Sequence, residues 1–173
     1  YTTDLMENLL QWAKSQMQGD SVNQQLIDIT GLIKDVKQLL RLQAEHKKVY
    51  VNAKEDKPIY IFADKDMINL VLLNLVSNAI KFTPENGEVS VSAEVVNGQV
   101  EVHVKDNGTG ISKENVGKLF GDAYFTTRGT DNEAGTGLGL KLCKEFLTKN
   151  GGDIKVESEL GKGSTFSFHL PKA

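Results

Sequence analysis

Apolar residues recur at intervals of three and four over residues 3–17, as Leu5, Leu9 and Trp12 beside Met6, Leu10, Ala13 and Met17. That spacing predicts an amphipathic helix, stopped by Gly19-Asp20. A short strand is expected over 25–30, then a second helix over 30–47 with Leu32, Ile33, Val36, Leu39, Leu40 and Leu42 on its buried side. Residues 49–53 and 59–62 read as short strands on either side of the polar run Lys54-Glu55-Asp56-Lys57-Pro58. A third helix runs over 65–82, with Asp64 as its N-cap and Thr83-Pro84 as its stop. It is apolar nearly all round, the pattern of a buried helix.

From Glu88 the apolar period shortens to two. Residues 88–96 and 99–106 alternate around Asn97-Gly98, the signal for a hairpin closed by a type I′ turn. A short helix is expected near 113–119 and a longer one over 137–150, ended by Gly151-Gly152. Strands over 153–158 and 164–170, joined by Leu160-Gly161-Lys162-Gly163, close the chain. Helices mixed with at least two antiparallel hairpins place the chain in the α+β class, with helices on one face of a mixed, mostly antiparallel sheet.

Composition narrows the field. A chain of 173 residues suits one domain that buries roughly two-thirds of its unfolded surface, so a core needs neither disulfides nor a structural metal. With 20 basic and 23 acidic residues and no basic block, it lacks the electrostatic footprint of a nucleic-acid binder. The single Cys143 excludes an internal disulfide framework and, among Leu140, Leu142, Phe146 and Leu147, reads as a small core residue rather than a reactive thiol. No apolar run is long enough to span a membrane and no signal-type leader is visible; the opening at Tyr1 rather than Met leads us to expect a piece of a longer protein. Twelve of the 16 glycines fall between Gly108 and Gly163, which concentrates the need for unusual backbone or close approach in one stretch.

Three features interrupt the apolar pattern. Asn74, Asn78 and Lys81 fall within roughly 60° of one another on the third helix, either as a solvated edge or as carboxamides for a hard cation and an ammonium for an anion. Asp106 shares its strand face with Val100, Val102 and Val104, so it points toward the core, where a carboxylate must find a donor. It serves either as a cap for the turn at Asn107-Gly108 or as the acceptor for a ligand amino group, with Gly108 and Gly110 letting backbone come close. Finally, Gly135-Thr136-Gly137-Leu138-Gly139-Leu140 leads straight into a helix, as a flexible loop or as a cradle of N–H groups for phosphate. It fits neither the P-loop pattern nor the dinucleotide fingerprint.

The order of these stretches is more specific than any one of them. Residues 74–83, then Asp106-Asn107-Gly108-Thr109-Gly110-Ile111, then Phe120 to Phe125, then the run from Gly135 to Leu140, then Gly161-Lys162-Gly163-Ser164-Thr165-Phe166 resemble the N, G1, F, G2 and G3 boxes of one family. That family is the ATP-binding domain of bacterial sensor histidine kinases, in the superfamily shared with gyrase, Hsp90 and MutL. The resemblance covers about residues 23–171 and implies a two-layer α/β sandwich of the Bergerat type.

The resemblance also implies roles. Asn78 would coordinate Mg²⁺, with Asn74 and Lys81 near the phosphates of ATP, and Asn78 and Lys81 would serve catalysis. Asp106 would accept from the adenine amino group in a pocket shaped by Gly108, Gly110 and Ile111. The Gly135, Thr136, Gly137, Leu138, Gly139 and Leu140 stretch would hold phosphates at the helix start. Phe120, Phe125, Thr126, Thr127 and Arg128 would belong to a lid, with Arg128 as a contact for the γ-phosphate. Ser164 shares parity with Phe166, Phe168 and Leu170, so it is preferred to Thr165 as the hydroxyl beside adenine.

Hydrolysing relatives carry a Glu one turn before the metal-binding Asn; here Asn74 occupies that position and cannot act as a general base. Transfer of the γ-phosphoryl group to a histidine therefore fits better than an ATP-hydrolysing gyrase-like or Hsp90-like domain, and intact Asn78, Asp106 and the glycines at 135, 137 and 139 argue against a module that only binds nucleotide or docks partners. In the family the acceptor histidine lies in a two-helix dimerisation domain and is followed by an acidic residue. His46, His103 and His169 do not match, so the acceptor is expected outside these residues. Residues 1–18 resemble the tail of that domain's second helix, with an ordinary helix packed on its own domain as the alternative, and 19–173 would form the catalytic domain. The implied partners are the acceptor domain of the same protein and a response-regulator receiver. The piece would be monomeric and cytoplasmic, and its parent a homodimer that the resemblance allows to be anchored in the bacterial inner membrane.

Overall fold

A computed structural model describes residues 22–54, 57–119 and 138–173. Five strands form one sheet in the order β2 (Tyr50–Ala53), β4 (Glu88–Val96), β5 (Gln99–Asp106), β7 (Gly163–Pro171) and β6 (Asp153–Glu159). All neighbours are antiparallel except β2 and β4. A separate antiparallel pair joins β1 (Gln24–Asp28) to β3 (Tyr60–Asp64). The helices are α1 (Ile29–Leu39), α2 (Arg41–Lys47), α3 (Lys65–Lys81), the single turn α4 (Lys113–Val116) and α5 (Leu138–Lys149).

The hairpin at Asn97-Gly98 forms as its dipeptide predicts: both residues have positive φ, 51° and 78°, as a type I′ turn requires. It sets the register in which Val89, Val91 and Ala93 of β4 and Val100, Val102 and Val104 of β5 face inward, all buried. Phe166, Phe168 and Leu170 of β7 continue that layer, and α1, α3 and α5 cover it.

Helix α3 lies at the centre of the core. Asp64 caps it by accepting from the N–H groups of Asp66 (3.1 Å) and Met67 (3.2 Å), and the buried Asp64 also accepts from Asn23 N. Met67, Ile68, Val71, Leu72 and Ile80 are fully enclosed, and truncating one such side chain to Ala costs about 2–5 kcal/mol. At the other end Thr83 Oγ1 donates to Ala79 O at 2.7 Å and occupies one of the helix's unmatched carbonyls.

Two expectations need correction. The strand read over 25–30 ends at Asp28, because the Asp28 side chain accepts from Thr30 N and Thr30 Oγ1 and starts α1 at Ile29. The helix read over 30–47 is two helices that meet at Leu40. Leu32, Ile33, Val36 and Leu40 form the buried stripe, whereas Leu39 and Leu42 are 66% and 71% exposed, to either side of it. The strands on either side of the polar run 54–58 belong to different sheets and do not pair with each other. The helix expected over 3–17 lies outside the described residues.

Candidate functional site

Residues far apart in sequence meet where the C-terminal halves of α3 and β5 approach the start of α5. Asp106 ends β5 on its inward face and is 5% exposed. Its Oδ1 accepts from Gly108 N at 2.9 Å, so the turn-cap reading holds. Burial pushes its carboxyl pKa up, opposed by the backbone N–H groups of Gly108 and Ser164. A carboxylate has about four lone-pair sites, so these two donors leave capacity for a further donor.

The turn after Asp106 is packed backbone on backbone. A Cβ on Gly108 would sit 2.1 Å from Phe82 O at the end of α3, where Thr109 N also donates at 3.1 Å. Gly110 has φ 72°, a conformation L residues rarely adopt, and a Cβ there would meet Glu159 O at 2.0 Å. Ile111 N donates to Ser158 Oγ at 2.7 Å, and Ser158 Oγ lies 2.7 Å from Ser164 Oγ. Ser164 is paired with Asp106 in the β5–β7 register and is buried, while Thr165 is half-buried on the other face, as strand parity predicts. Asp106, Gly108, Gly110, Ile111 and Ser164 thus form one connected wall.

The polar edge of α3 is not a solvated edge. Asn74 and Lys81 are 5% and 6% exposed, and Asn78 between them is half-buried. Asn74 Nδ2 donates to Cys143 Sγ at 3.3 Å, and a Cβ on Gly139 would come within 2.3 Å of Asn74 Oδ1. The first turn of α5 therefore seats on Asn74, and only glycine allows that approach. Cys143 is the core residue its neighbours predict, with burial pushing its thiol up to about 12 against a weak opposing bond from Asn74. Lys81 Nζ stands 5.0 Å from the centroid of the Phe82 ring, a cation–π distance. Gly139 and Leu140 are placed at the start of α5, which Leu138 begins. Phe120, Phe125, Thr126, Thr127, Arg128, Gly135, Thr136 and Gly137 lie outside the described residues.

Two supporting side chains were not foreseen. Asn150 is 3% exposed; its Oδ1 accepts from Asp64 N at 2.8 Å and its Nδ2 donates to Phe146 O and Met67 Sδ, tying the end of α5 to the start of α3. In the sequence it reads only as a helix end. Lys47, 9% exposed, donates from Nζ to Lys81 O at 2.5 Å, placing a cation at the negative end of the α3 dipole. A Lys closing a helix ordinarily reads as solvated, and no local signal marks it as buried. His46 is exposed, and His103 and His169 are half-buried on the sheet's outward face.

The chain resembles known proteins over most of its length. It is 36% identical over 171 residues to the sensor histidine kinase WalK of Bacillus subtilis, covering 96% of this chain and 28% of that protein. It therefore spans less than a third of the curated relatives it matches. Among solved structures, the nucleotide-free catalytic domain of histidine kinase ThkA superposes with a TM-score of 0.75 at 32% identity, covering 87% of this chain and 96% of that one. ThkA in complex with the response regulator TrrA gives 0.78 at 26% identity, covering 98% and 48%. Among the described residues no helix is long and apolar enough to cross a membrane. A family profile described as histidine kinase-, DNA gyrase B- and HSP90-like ATPase matches residues 63–173, which hold the α3 edge, Asp106 and the start of α5, and the chain belongs to that family.

Proposed function

We propose that this domain binds Mg-ATP between α3, the end of β5 and the start of α5, and passes the γ-phosphoryl group to a histidine on a separate acceptor domain for relay to a response regulator. The observation that carries the reading is Asp106: a buried carboxylate, held by two backbone N–H groups, beside a turn that would have to move if Gly108 carried a Cβ. Such a carboxylate suits an exocyclic amino group, since it accepts and cannot donate when ionised. Ser164 and Ile111 complete the adenine end.

At the phosphate end, Asn78 offers the carboxamide oxygen that a hard divalent cation prefers, and Lys81 supplies positive charge one turn further on. Asn74 holds the seat of Gly139 and so positions the start of α5, where free helix N–H groups favour anions. Bound Mg²⁺ would supply charge neutralisation at the transferred phosphoryl group. In α3 the residue one turn before Asn78 is Asn74, a carboxamide with no basic lone pair to take a proton from water, which favours transfer to an external nucleophile over hydrolysis. Arg128, with Phe120, Phe125, Thr126 and Thr127, is assigned to the nucleotide lid on the family resemblance, as are Gly135, Thr136 and Gly137 to the phosphates. The ThkA–TrrA complex supports a receiver as the downstream partner, and residues 1–18 are assigned to the acceptor domain's second helix.

Calorimetry with ADP, with and without Mg²⁺, tests nucleotide binding directly; absence of heat at millimolar ligand would leave only a docking module. Asn78→Asp, supplied with ATP and a separately purified two-helix acceptor domain of the histidine kinase class, is expected to lose at least about tenfold in phosphotransfer rate, about 1.4 kcal/mol in the barrier. Unchanged transfer would remove Asn78 from the metal role.

A further inference from the structure

Glu94, Glu101 and His103 stand together on the outward face of the sheet, away from the helices and from Asp106. Glu94 and Glu101 are directly opposite one another in the β4–β5 register. Like charges in that relation destabilise a sheet. The cross-strand row that contains them continues through His169 of β7 to Asp153 of β6 and holds no Lys or Arg. His103, two residues along β5, reaches back into the pair, with Nε2 3.2 Å from Glu94 Oε1 and 3.6 Å from Glu101 Oε2.

We propose that these three side chains bind a divalent transition-metal ion of the Zn²⁺ type. One ligand atom from each residue lies within 4.8 Å of the others. Two ligands at zinc distances of about 2.0–2.2 Å stand about 3.3–3.6 Å apart on a tetrahedron, close to the spacings already present. Two carboxylates and a neutral imidazole carry a charge of about −2, matching the cation, and the mixed nitrogen and oxygen set favours zinc-like ions over Mg²⁺ or Ca²⁺. The His103 ring is also fixed from behind: Nδ1 lies 2.8 Å from Oγ of Ser167, which is 6% exposed. In the metal-free chain Nε2–H donates to Glu94 Oε1; when a metal displaces that proton, Nδ1–H would donate to the Ser167 hydroxyl and the Nε2 lone pair would face the metal, the arrangement in which a histidine ligand is oriented by its other nitrogen. The outward fourth position is left to water, and a cation here would relieve the repulsion between Glu94 and Glu101 and clamp β4 to β5.

The test is titration of the metal-free chain with Zn²⁺ alone, without nucleotide. One Zn²⁺ per chain is expected, with affinity lowered at least about tenfold in His103→Gln and in Glu101→Gln, and lowered by about tenfold in Ser167→Ala, which keeps every ligand but frees the ring. Asp106→Asn should bind Zn²⁺ as the parent does, which separates this site from the nucleotide site. Far-ultraviolet circular dichroism checks that each variant folds, and Co²⁺ in place of Zn²⁺ should give visible bands of four-coordinate intensity that disappear in His103→Gln. No zinc uptake, uptake unchanged in a folded His103→Gln, or loss that follows His46→Gln instead would each overturn the assignment.

Discussion

Asp106 sits at 5% exposure on two backbone N–H donors, and burial pushes its pKa above the ordinary 3.8. A carboxyl raised on folding binds more protons in the native state than in the unfolded state between those two values. Stability therefore falls as pH rises from 3.8 through the raised native value, and above that value the ionised group weighs against the fold. Asp106→Asn keeps the shape and the oxygen that accepts from Gly108 N while removing the buried charge. The ligand-free variant is expected to melt at or above the parent's temperature at pH 7, the difference vanishing below pH 3.8. Its nucleotide affinity should fall at least about tenfold, because a charge-assisted acceptor worth about 1.5–3 kcal/mol is lost and an amide N–H₂ can be presented to the ligand's amino group. Calorimetric melts across pH, with ADP titrations at pH 7, check both halves; a variant that is less stable and binds equally well would refute this account. The alternation Val100, Val102, Val104, Asp106 already shows the carboxylate pointing inward. What strand parity cannot show is that Lys81 is buried too, since its surroundings include Lys47, 34 residues away, whose ammonium rests on the Lys81 carbonyl.

Elements whose signals are local follow the sequence closely. The Asn97-Gly98 hairpin, the cap at Asp64 and the stop after Lys81 each depend on a few neighbouring residues, and each forms where expected. Pairings that close over long separations do not announce themselves: β2 joins β4 in parallel across the whole of α3, and β1 finds β3, so two adjacent short strands serve different sheets. The break at Leu40 is similarly invisible to periodicity, because the leucines at 39, 40 and 42 offer more apolar positions than one buried stripe can use. Asn150 is the clearest case of an element joined to another by a side chain rather than by a pattern. It bridges the end of α5 to Asp64 N and Met67 Sδ at the start of α3, opposite in α5 from the seat of Gly139 on Asn74. Asn150→Ala removes an acceptor from a buried N–H and is expected to cost about 1–3 kcal/mol in urea unfolding. Because the two helices also frame the proposed nucleotide site, its ADP affinity should weaken as well; a destabilised variant with unchanged affinity would show that the bridge serves the fold alone.

For the whole molecule, the proposed nucleotide site would divide into an adenine end built on the β5–β7 edge and a phosphate end built on α3 and α5. A ligand that binds only the native state stabilises it by an amount set by its concentration over Kd, about 2.7 kcal/mol at one hundred times Kd. For a domain of this size that corresponds to a rise of about 5–10 °C in Tm. The two ends can therefore be read separately by choosing the ligand. Adenosine, which lacks phosphate, should raise Tm in the parent and in Asn78→Asp but not in Asp106→Asn. A non-hydrolysable ATP analogue should give a further rise when Mg²⁺ is added, and that increment should survive in Asp106→Asn at ligand concentrations scaled to its weaker Kd while disappearing in Asn78→Asp. The logic rests on distinct partners: Asp106 accepts from the backbone N–H groups of Gly108 and Ser164, Asn78 belongs to α3, and residues that share no partner contribute nearly additively. If Asn78→Asp abolished the adenosine shift, the two ends would not be independent and the carboxamide would belong to the adenine pocket. If Mg²⁺ added nothing in the parent, α3 would hold phosphate through Lys81 and the α5 N–H groups without a cation, and the metal role of Asn78 would be withdrawn.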